Sequence, residues 1–361
     1  MEKQNKKIYF LLNSVADAHS LRRIAEFKAA GAEVKAFGFL RSAESKDVAE
    51  ATILGTFSNS LSYPKRLNIY RRAIKELFRQ YKDKDITWYY LGLDVAMFAT
   101  YYGRGRNYIY EECDIVHASI KNRFLFSCFE KLDKRIISRA KATVFTSEGF
   151  KEFHYPDGNL PSHIIMSENK LPADIMQYQA AAHHSYDVQH LRFAFIGGIR
   201  YKSLLTLAST IASNFPNHEF HFYGFVSPTF KDSELPKMEN IFYHGRFQSP
   251  QDLPAIYEKT DVVVATYDVE NLNVRYAEPN KLYEAIYFNC PIIVSAGTFL
   301  SRKVEQLGIG YSVDVNNQKE VIQLVQRVEK EITQKSEAIH QMDKSYAVDQ
   351  ATLASDVINL I

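Results

Sequence analysis

Short apolar, β-branched or aromatic runs alternate along this chain with longer stretches whose apolar positions recur at helical spacing. Residues 7–12 predict a strand. Residues 18–30 predict a helix, with Leu21, Ile24 and Phe27 about a turn apart and Gly31 in the usual place past a helix end. Residues 33–37 predict the next strand. Further strands are expected at 86–91, 107–110, 142–146 and 163–166, with helices over 64–81, 94–102 and 119–139. Strands separated by helices of this length imply crossover connections and a parallel sheet.

The alternation then breaks. Residues 176–190 are polar and hold no strand pattern, and the same grammar restarts beyond them. Strands are expected at 191–196, 219–223, 241–244, 262–265 and 292–295, with helices at 204–214, 253–259 and 281–288. Helical stretches over 319–342 and 350–361 finish the chain. The pattern predicts an α/β protein with an N-terminal Rossmann-like domain (1–185), a second doubly wound domain (186–345) and a C-terminal helix (346–361). In such sheets ligands bind at the carboxyl ends of the strands.

Composition adds boundaries to this picture. A chain of 361 residues, 46% of them apolar, has enough material for two cores. No run approaches the ~18–20 apolar residues of a membrane span. The first apolar run, residues 8–12, is too short for a signal-peptide core and leads into Asn13 and Ser14, so a cytoplasmic location is expected. The three cysteines, Cys113, Cys128 and Cys290, have no paired spacing and are expected as buried thiols. Adjacent His183 and His184 have no further ligand spacing nearby, so no metal site is expected there.

The net charge of +2 conceals an asymmetry. Residues 1–185 carry 28 Lys+Arg against 21 Asp+Glu, a net of +7, whereas residues 186–361 carry 16 against 21, a net of −5. A basic first half suits an anionic partner, and ordinary solvated surface is the alternative. Residues 64–82 hold seven Lys/Arg and one Glu, with Leu67, Tyr70, Ile74, Leu77 and Tyr81 on one stripe. That stripe fits either a core or an anionic membrane surface, and a location at the inner face of a membrane goes with the second. The aromatics follow strand and helix periodicity, which argues against a nucleic-acid platform.

Candidate chemistry concentrates in residues 276–295, YAEPNKLYEAIYFNCPIIVS. Pro279 and Asn280 are helix-starting residues, and Pro291 stops the helix before a buried strand. A helix start at the carboxyl edge of a parallel sheet offers unpaired N–H groups and partial positive charge to an anion such as a diphosphate. Lys281 adds a point charge. Glu284, one turn further on, could accept two hydrogen bonds from a ribose diol; it could equally be an acid favoured by the helix dipole.

PNKLYEA followed by NCPIIVS resembles the donor-binding segment of family 4 glycosyltransferases of the GT-B fold, in the capsule and surface-polysaccharide branch. FIGGIRYKSLLTL at 195–207 resembles the phosphate loop opening the donor domain of that family. FTSEGF at 145–150 resembles its Thr-Ser-Glu-Gly-aromatic turn, and YEECDIVH at 110–117 its acidic strand end on the acceptor side. These segments occur in the family's order. The resemblance implies two Rossmann-like domains facing one cleft, with the terminal helix crossing back to the first domain. It implies a nucleotide-sugar donor, UDP- or GDP-linked, no permanently bound cofactor, no catalytic metal, and a glycan or lipid-linked acceptor.

By the same resemblance Glu284 binds the donor ribose, Asn280, Lys281 and Leu282 form the helix start beneath the phosphates, and Gly197 and Gly198 let the backbone approach them. Arg200 and Lys202 neutralise the leaving nucleotide, where preorganised donors stabilise developing charge. Many relatives carry a second glutamate eight residues before the ribose-binding one. That position is Tyr276 here, and Glu278 is the nearest acid. On the acceptor side the candidates are Glu111, Asp114 and His117 near a strand end, with His19, Arg22 and Arg23 as a possible anion holder or an ordinary helix face. Rival expectations are a nucleotide-sugar epimerase or hydrolase on the same fold, and a non-catalytic nucleotide- or glycan-binding subunit.

Overall fold

The computed structural model describes residues 6–41, 51–58, 60–83, 85–178 and 185–361; His183 and His184 lie outside these. The chain forms two compact units, residues 1–168 with 351–361, and residues 169–350.

The first unit holds a parallel sheet of β1 (Lys7–Leu12), β2 (Glu33–Arg41), β3 (Ala51–Phe57), β4 (Ile86–Leu91), β5 (Tyr108–Glu112), β6 (Ala142–Phe145) and β7 (Ile164–Met166). Its order is β3-β2-β1-β4-β5-β6-β7, so the winding reverses between β1 and β4. Central strands covered on both faces read as continuous apolar runs, which is why β1 and β4 were plain in the sequence. Phe10 on β1 stacks on Tyr89 of β4 at 4.6 Å, with Phe27 of the first helix edge-on to both. β3 was not expected. It is an edge strand with most side chains partly or fully exposed, so it lacks a buried-strand signature.

The helix Tyr63–Gln80 buries Tyr70, Ile74, Leu77 and Phe78. Tyr70 packs against Phe39 and Phe57, and Phe78 against Trp88. The structure therefore assigns the apolar stripe to the core and leaves Lys65, Arg71, Arg72, Lys75 and Arg79 exposed. The expected helix over 119–139 begins at Arg123, where the Asn122 side chain accepts from the amides of Phe124 and Leu125. On this helix Cys128 is exposed, contrary to expectation; Cys113 is half-buried and Cys290 is buried.

The second unit holds β8 (Arg192–Ile196), β9 (Glu219–Tyr223), β10 (Ile241–Gly245), β11 (Val262–Ala265), β12 (Ile292–Ser295) and β13 (Gly310–Val313), all parallel, in the order β10-β9-β8-β11-β12-β13. Here the winding reverses between β8 and β11. The helix Phe299–Leu307 and β13 complete the pattern beyond what periodicity indicated; Thr298 and Ser301 form a capping box at that helix start.

Residues 169–178 belong to the second unit, so the first ends at 168 and not at 185. Tyr287 fixes them by donating to the carbonyls of Ile175 and Tyr178 at 3.0 and 2.8 Å, and Leu171 pairs with Val348. The helix Leu353–Leu360 packs in the first unit. Leu353, Ala354 and Val357 join its core, and the Ala354 amide donates to Glu26 at 2.9 Å.

Candidate active site

In the second unit the switch point falls at the carboxyl ends of β8 and β11, the place where doubly wound sheets receive ligands. Gly197 and Gly198 directly follow β8. Gly197 has φ +146°, which L side chains rarely adopt, and its amide donates to the Tyr223 carbonyl at 2.7 Å. A Cβ on Gly198 would lie 2.9 Å from the Phe225 ring. Gly198 thus makes room for a neighbouring ring within the unit, a packing reason that the sequence did not show.

Arg200 and Lys202 follow and are both exposed. Arg200 lies over the Tyr201 ring and donates to its hydroxyl at 3.0 Å. The helix Lys202–Asn214 starts here, but its first amides are occupied: Lys202 and Ser203 donate to the two carboxylate oxygens of Asp268 at 3.2 and 2.7 Å. Asp268 stands three residues past β11 and was missed in the sequence, because an acid capping a helix more than sixty positions away leaves no local signal.

The other helix start is open. In the helix Asn280–Tyr287, Asn280 is exposed, Pro279 and Lys281 are half-buried, and Leu282 is buried with its amide donating to the Pro279 carbonyl at 3.2 Å. The amides of Asn280 and Lys281 have no hydrogen-bond partner among the described residues. Glu284 is 4% exposed. It accepts from Lys281 Nζ at 3.0 Å through one oxygen and from the Tyr257 hydroxyl at 3.0 Å through the other. Each carboxylate oxygen keeps acceptor capacity after one such bond. Burial pushes the Tyr257 hydroxyl far up, and the Glu284 charge adds to that, so Tyr257 stays a donor.

Tyr267, just past β11, joins the two segments. Burial raises its hydroxyl well above the usual range, Tyr201 and Glu284 raise it further, and Arg200 opposes them. Its ring meets Tyr201 edge-on at 4.8 Å. Beside it the Thr266 hydroxyl is buried with no hydrogen-bond partner among the described residues. The site therefore gathers Gly197, Gly198, Arg200, Lys202, Asn280, Lys281, Leu282 and Glu284 at one sheet edge. Tyr257, Thr266, Tyr267 and Asp268 complete it.

Glu278 is placed differently. It is 1% exposed, takes an ion pair from Lys303 and a hydrogen bond from the Tyr283 hydroxyl, and its backbone carbonyl accepts from Asn169 at 2.9 Å. Its carboxylate is thus held in a buried network.

In the first unit the expected acceptor-side residues separate. Glu111 is fully buried. It accepts from Arg23 through both oxygens at 3.2 and 2.8 Å, from Tyr89 at 2.6 Å, and lies 2.8 Å from His19 Nε2. Burial pushes its carboxyl up, but Arg23 and His19 outweigh this and hold it well below the usual range. Arg23 is equally buried, so it neutralises Glu111 and is not a surface anion holder; His19 and Arg22 remain partly exposed. His117 is fully buried beside Phe126 and Phe153, which removes it from any solvent-facing role. Asp114 alone of the three acceptor-side candidates is exposed. Away from this edge, a cavity of about 1060 Å³ includes Arg71, Arg104, Arg106, Arg135, Arg139 and Tyr101 in its lining.

Solved structures match the chain almost end to end. Sucrose-phosphate synthase from Thermosynechococcus elongatus superposes with a TM-score of 0.71 at 12% identity, covering 98% of both chains. Anabaena HepE in complex with UDP-glucose gives 0.66 at 15% identity, covering 98% of this chain and 96% of that one. WaaG, a glycosyltransferase involved in lipopolysaccharide biosynthesis, gives 0.65 at 13%, covering 98% and 99%. The fold is GT-B. Residues 200–344, which lie within the second unit, match the model of the family described as glycosyl transferases group 1. No curated protein sequence matches the chain.

Proposed function

We propose that this chain is a glycosyltransferase that moves a sugar from a nucleotide-sugar donor to a glycan or lipid-linked glycan acceptor, in the synthesis of a surface polysaccharide. The observation that carries this reading is the open helix start at Asn280 with Glu284 buried one turn along, at the carboxyl edge of the second sheet. It lies inside the segment that matches the group 1 family.

In this reading the free amides of Asn280 and Lys281 and the positive helix end receive the diphosphate. Arg200 and Lys202 balance the charge that builds on it as the glycosidic bond breaks. Glu284 accepts hydrogen bonds from the ribose diol, with Tyr257 and Lys281 fixing its orientation. Uridine or guanosine diphosphate sugars are the donors favoured, and HepE in complex with UDP-glucose supports the first. The acceptor is assigned to the first unit, where Asp114 is the exposed acid near a strand end. The exposed cations of the helix Tyr63–Gln80 provide peripheral contact with an anionic membrane.

A thermal-shift panel of UDP, GDP, CDP, ADP and dTDP with their sugars tests the donor, since a ligand of the folded state raises the melting point by mass action. UDP or GDP, and the matching sugar, are expected to do so. No shift with any nucleotide would overturn the site. Nucleotide release from a donor sugar with no acceptor present would identify a hydrolase.

A further inference from the structure

Glu112 ends β5 one residue beyond Glu111 but turns to a different set of partners. It is fully buried, as are Asp133 and His117, and His154 is 6% exposed. Candidate donor atoms of Glu112, Asp133 and His154 all lie within 4.8 Å of one another. His154 Nε2 is 2.7 Å from one Glu112 oxygen, and His117 Nδ1 is 3.6 Å from Asp133 Oδ2. The Tyr110 hydroxyl donates to the other Asp133 oxygen at 3.0 Å.

The hydrogen bonds do not account for this cluster. Glu112 Oε1, Asp133 Oδ2 and both ring nitrogens of His117 are buried with no hydrogen-bond partner among the described residues. Neither carboxyl is paired with a lysine or arginine there. Two carboxyls buried this close beside neutral imidazoles hold protons while no ion is bound, because uncompensated buried charges would cost several kcal/mol; a divalent ion can take the place of those protons. The neighbouring group of His19, Glu111 and Cys113 differs in this respect, because Arg23 already neutralises Glu111.

We propose that Glu112, Asp133, His117 and His154 form a buried site for a divalent transition metal of the zinc type, serving as a structural cross-link of the first unit. Glu112, Asp133 and His154 already converge, their two carboxylates cancel the charge of such an ion, and a shift of the His117 ring from its place beside Asp133 completes the four ligands of a closed structural site. Imidazole nitrogens favour zinc-like ions, whereas magnesium and calcium take oxygen ligands. The ligands come from four places: the end of β5, the turn Val116–Ser119, the helix Arg123–Arg139 and the end of the helix Glu148–His154. An ion held between them ties the loop bearing Asp114 to two helices. Tyr110, donating to Asp133, orients that ligand from outside, as partners of metal ligands do. The site is independent of the nucleotide-sugar reading.

The test uses the full chain purified without a histidine tag or chelator. Elemental analysis should find about one zinc per chain. Dialysis against dipicolinate should remove it and lower the melting temperature, and ZnCl₂ should restore both. Asp133→Asn, which keeps the shape while removing a charge, should abolish binding and the zinc-dependent melting shift. In case that variant fails to fold, Co²⁺ loaded into the wild-type chain should show the intense visible bands of a tetrahedral site. Absence of zinc from the purified chain, with no melting response to ZnCl₂, would overturn the site and leave the carboxyls sharing a proton. So would retention of zinc by a folded Asp133→Asn chain.

Discussion

At the scale of single residues, the chemistry turns on which charges are already spent. Glu284 accepts one bond on each oxygen, from Tyr257 and from Lys281, and keeps lone pairs for a ligand. Glu284→Ala should weaken UDP binding by about 1–3 kcal/mol and also lower the melting temperature of the free chain, because the buried Tyr257 hydroxyl loses its acceptor. Calorimetry on the folded variant checks this, and unchanged affinity would remove Glu284 from the site. Gly224 makes a different prediction. With φ +139°, a Cβ there would overlap the Gly197 carbonyl oxygen, so Gly224→Ala should destabilise the second unit by about 2–4 kcal/mol in urea unfolding. The PNKLYEA segment made Glu284 visible in the sequence. Nothing local announced that Asp268 caps the helix beginning at Lys202, or that Lys303 pairs with Glu278, because each pair joins residues well apart in the sequence.

At the scale of elements, legibility followed burial. β1, β4, β8 and β12 were plain because their pairing on both sides makes them continuously apolar. β3 was missed because an edge strand has little apolar pattern to show, and β13 because Gly310 and Ser312 interrupt its apolar run. The first helix illustrates what pattern omits. Its Arg23 looks like part of a polar face, yet it is buried against Glu111 of β5. This pair sets a pH dependence. The Glu111 carboxyl lies lower in the folded chain than its ordinary value, so its stabilisation is complete above about pH 4.5 and is lost as pH falls below that. Glu111→Gln leaves the buried Arg23 with Glu26, 2.7 Å away, as its remaining carboxylate partner and should cost about 3 kcal/mol at pH 7. The gap between variant and wild type should narrow as pH drops below about 4.5, followed by urea midpoints. A gap that stays constant from pH 7 to 3 would contradict it.

At the scale of the whole molecule, each unit has its own sheet and core, and the last residues return to the first unit after the chain has built the second. The helix Leu353–Leu360 adds Leu353, Ala354 and Val357 to the core around Phe10, Phe27 and Tyr89, and fixes its start with the bond from Ala354 to Glu26. Removing residues 351–361 would expose that apolar surface. Burial of this size contributes roughly 3–5 kcal/mol, so the first unit should unfold at lower urea than in the intact chain. The proposed nucleotide contacts all lie within 169–350, so UDP affinity should hold. Saturation at about a hundred times Kd would stabilise the second unit by about 2.7 kcal/mol. Trp88, the one tryptophan of the chain, is fully buried in the first unit and reports its unfolding without labelling. If Trp88 fluorescence showed the truncated chain unfolding at the wild-type urea midpoint, the terminal helix would carry no stability. If truncation abolished UDP binding while 169–350 stayed folded, the donor site would extend beyond the second unit.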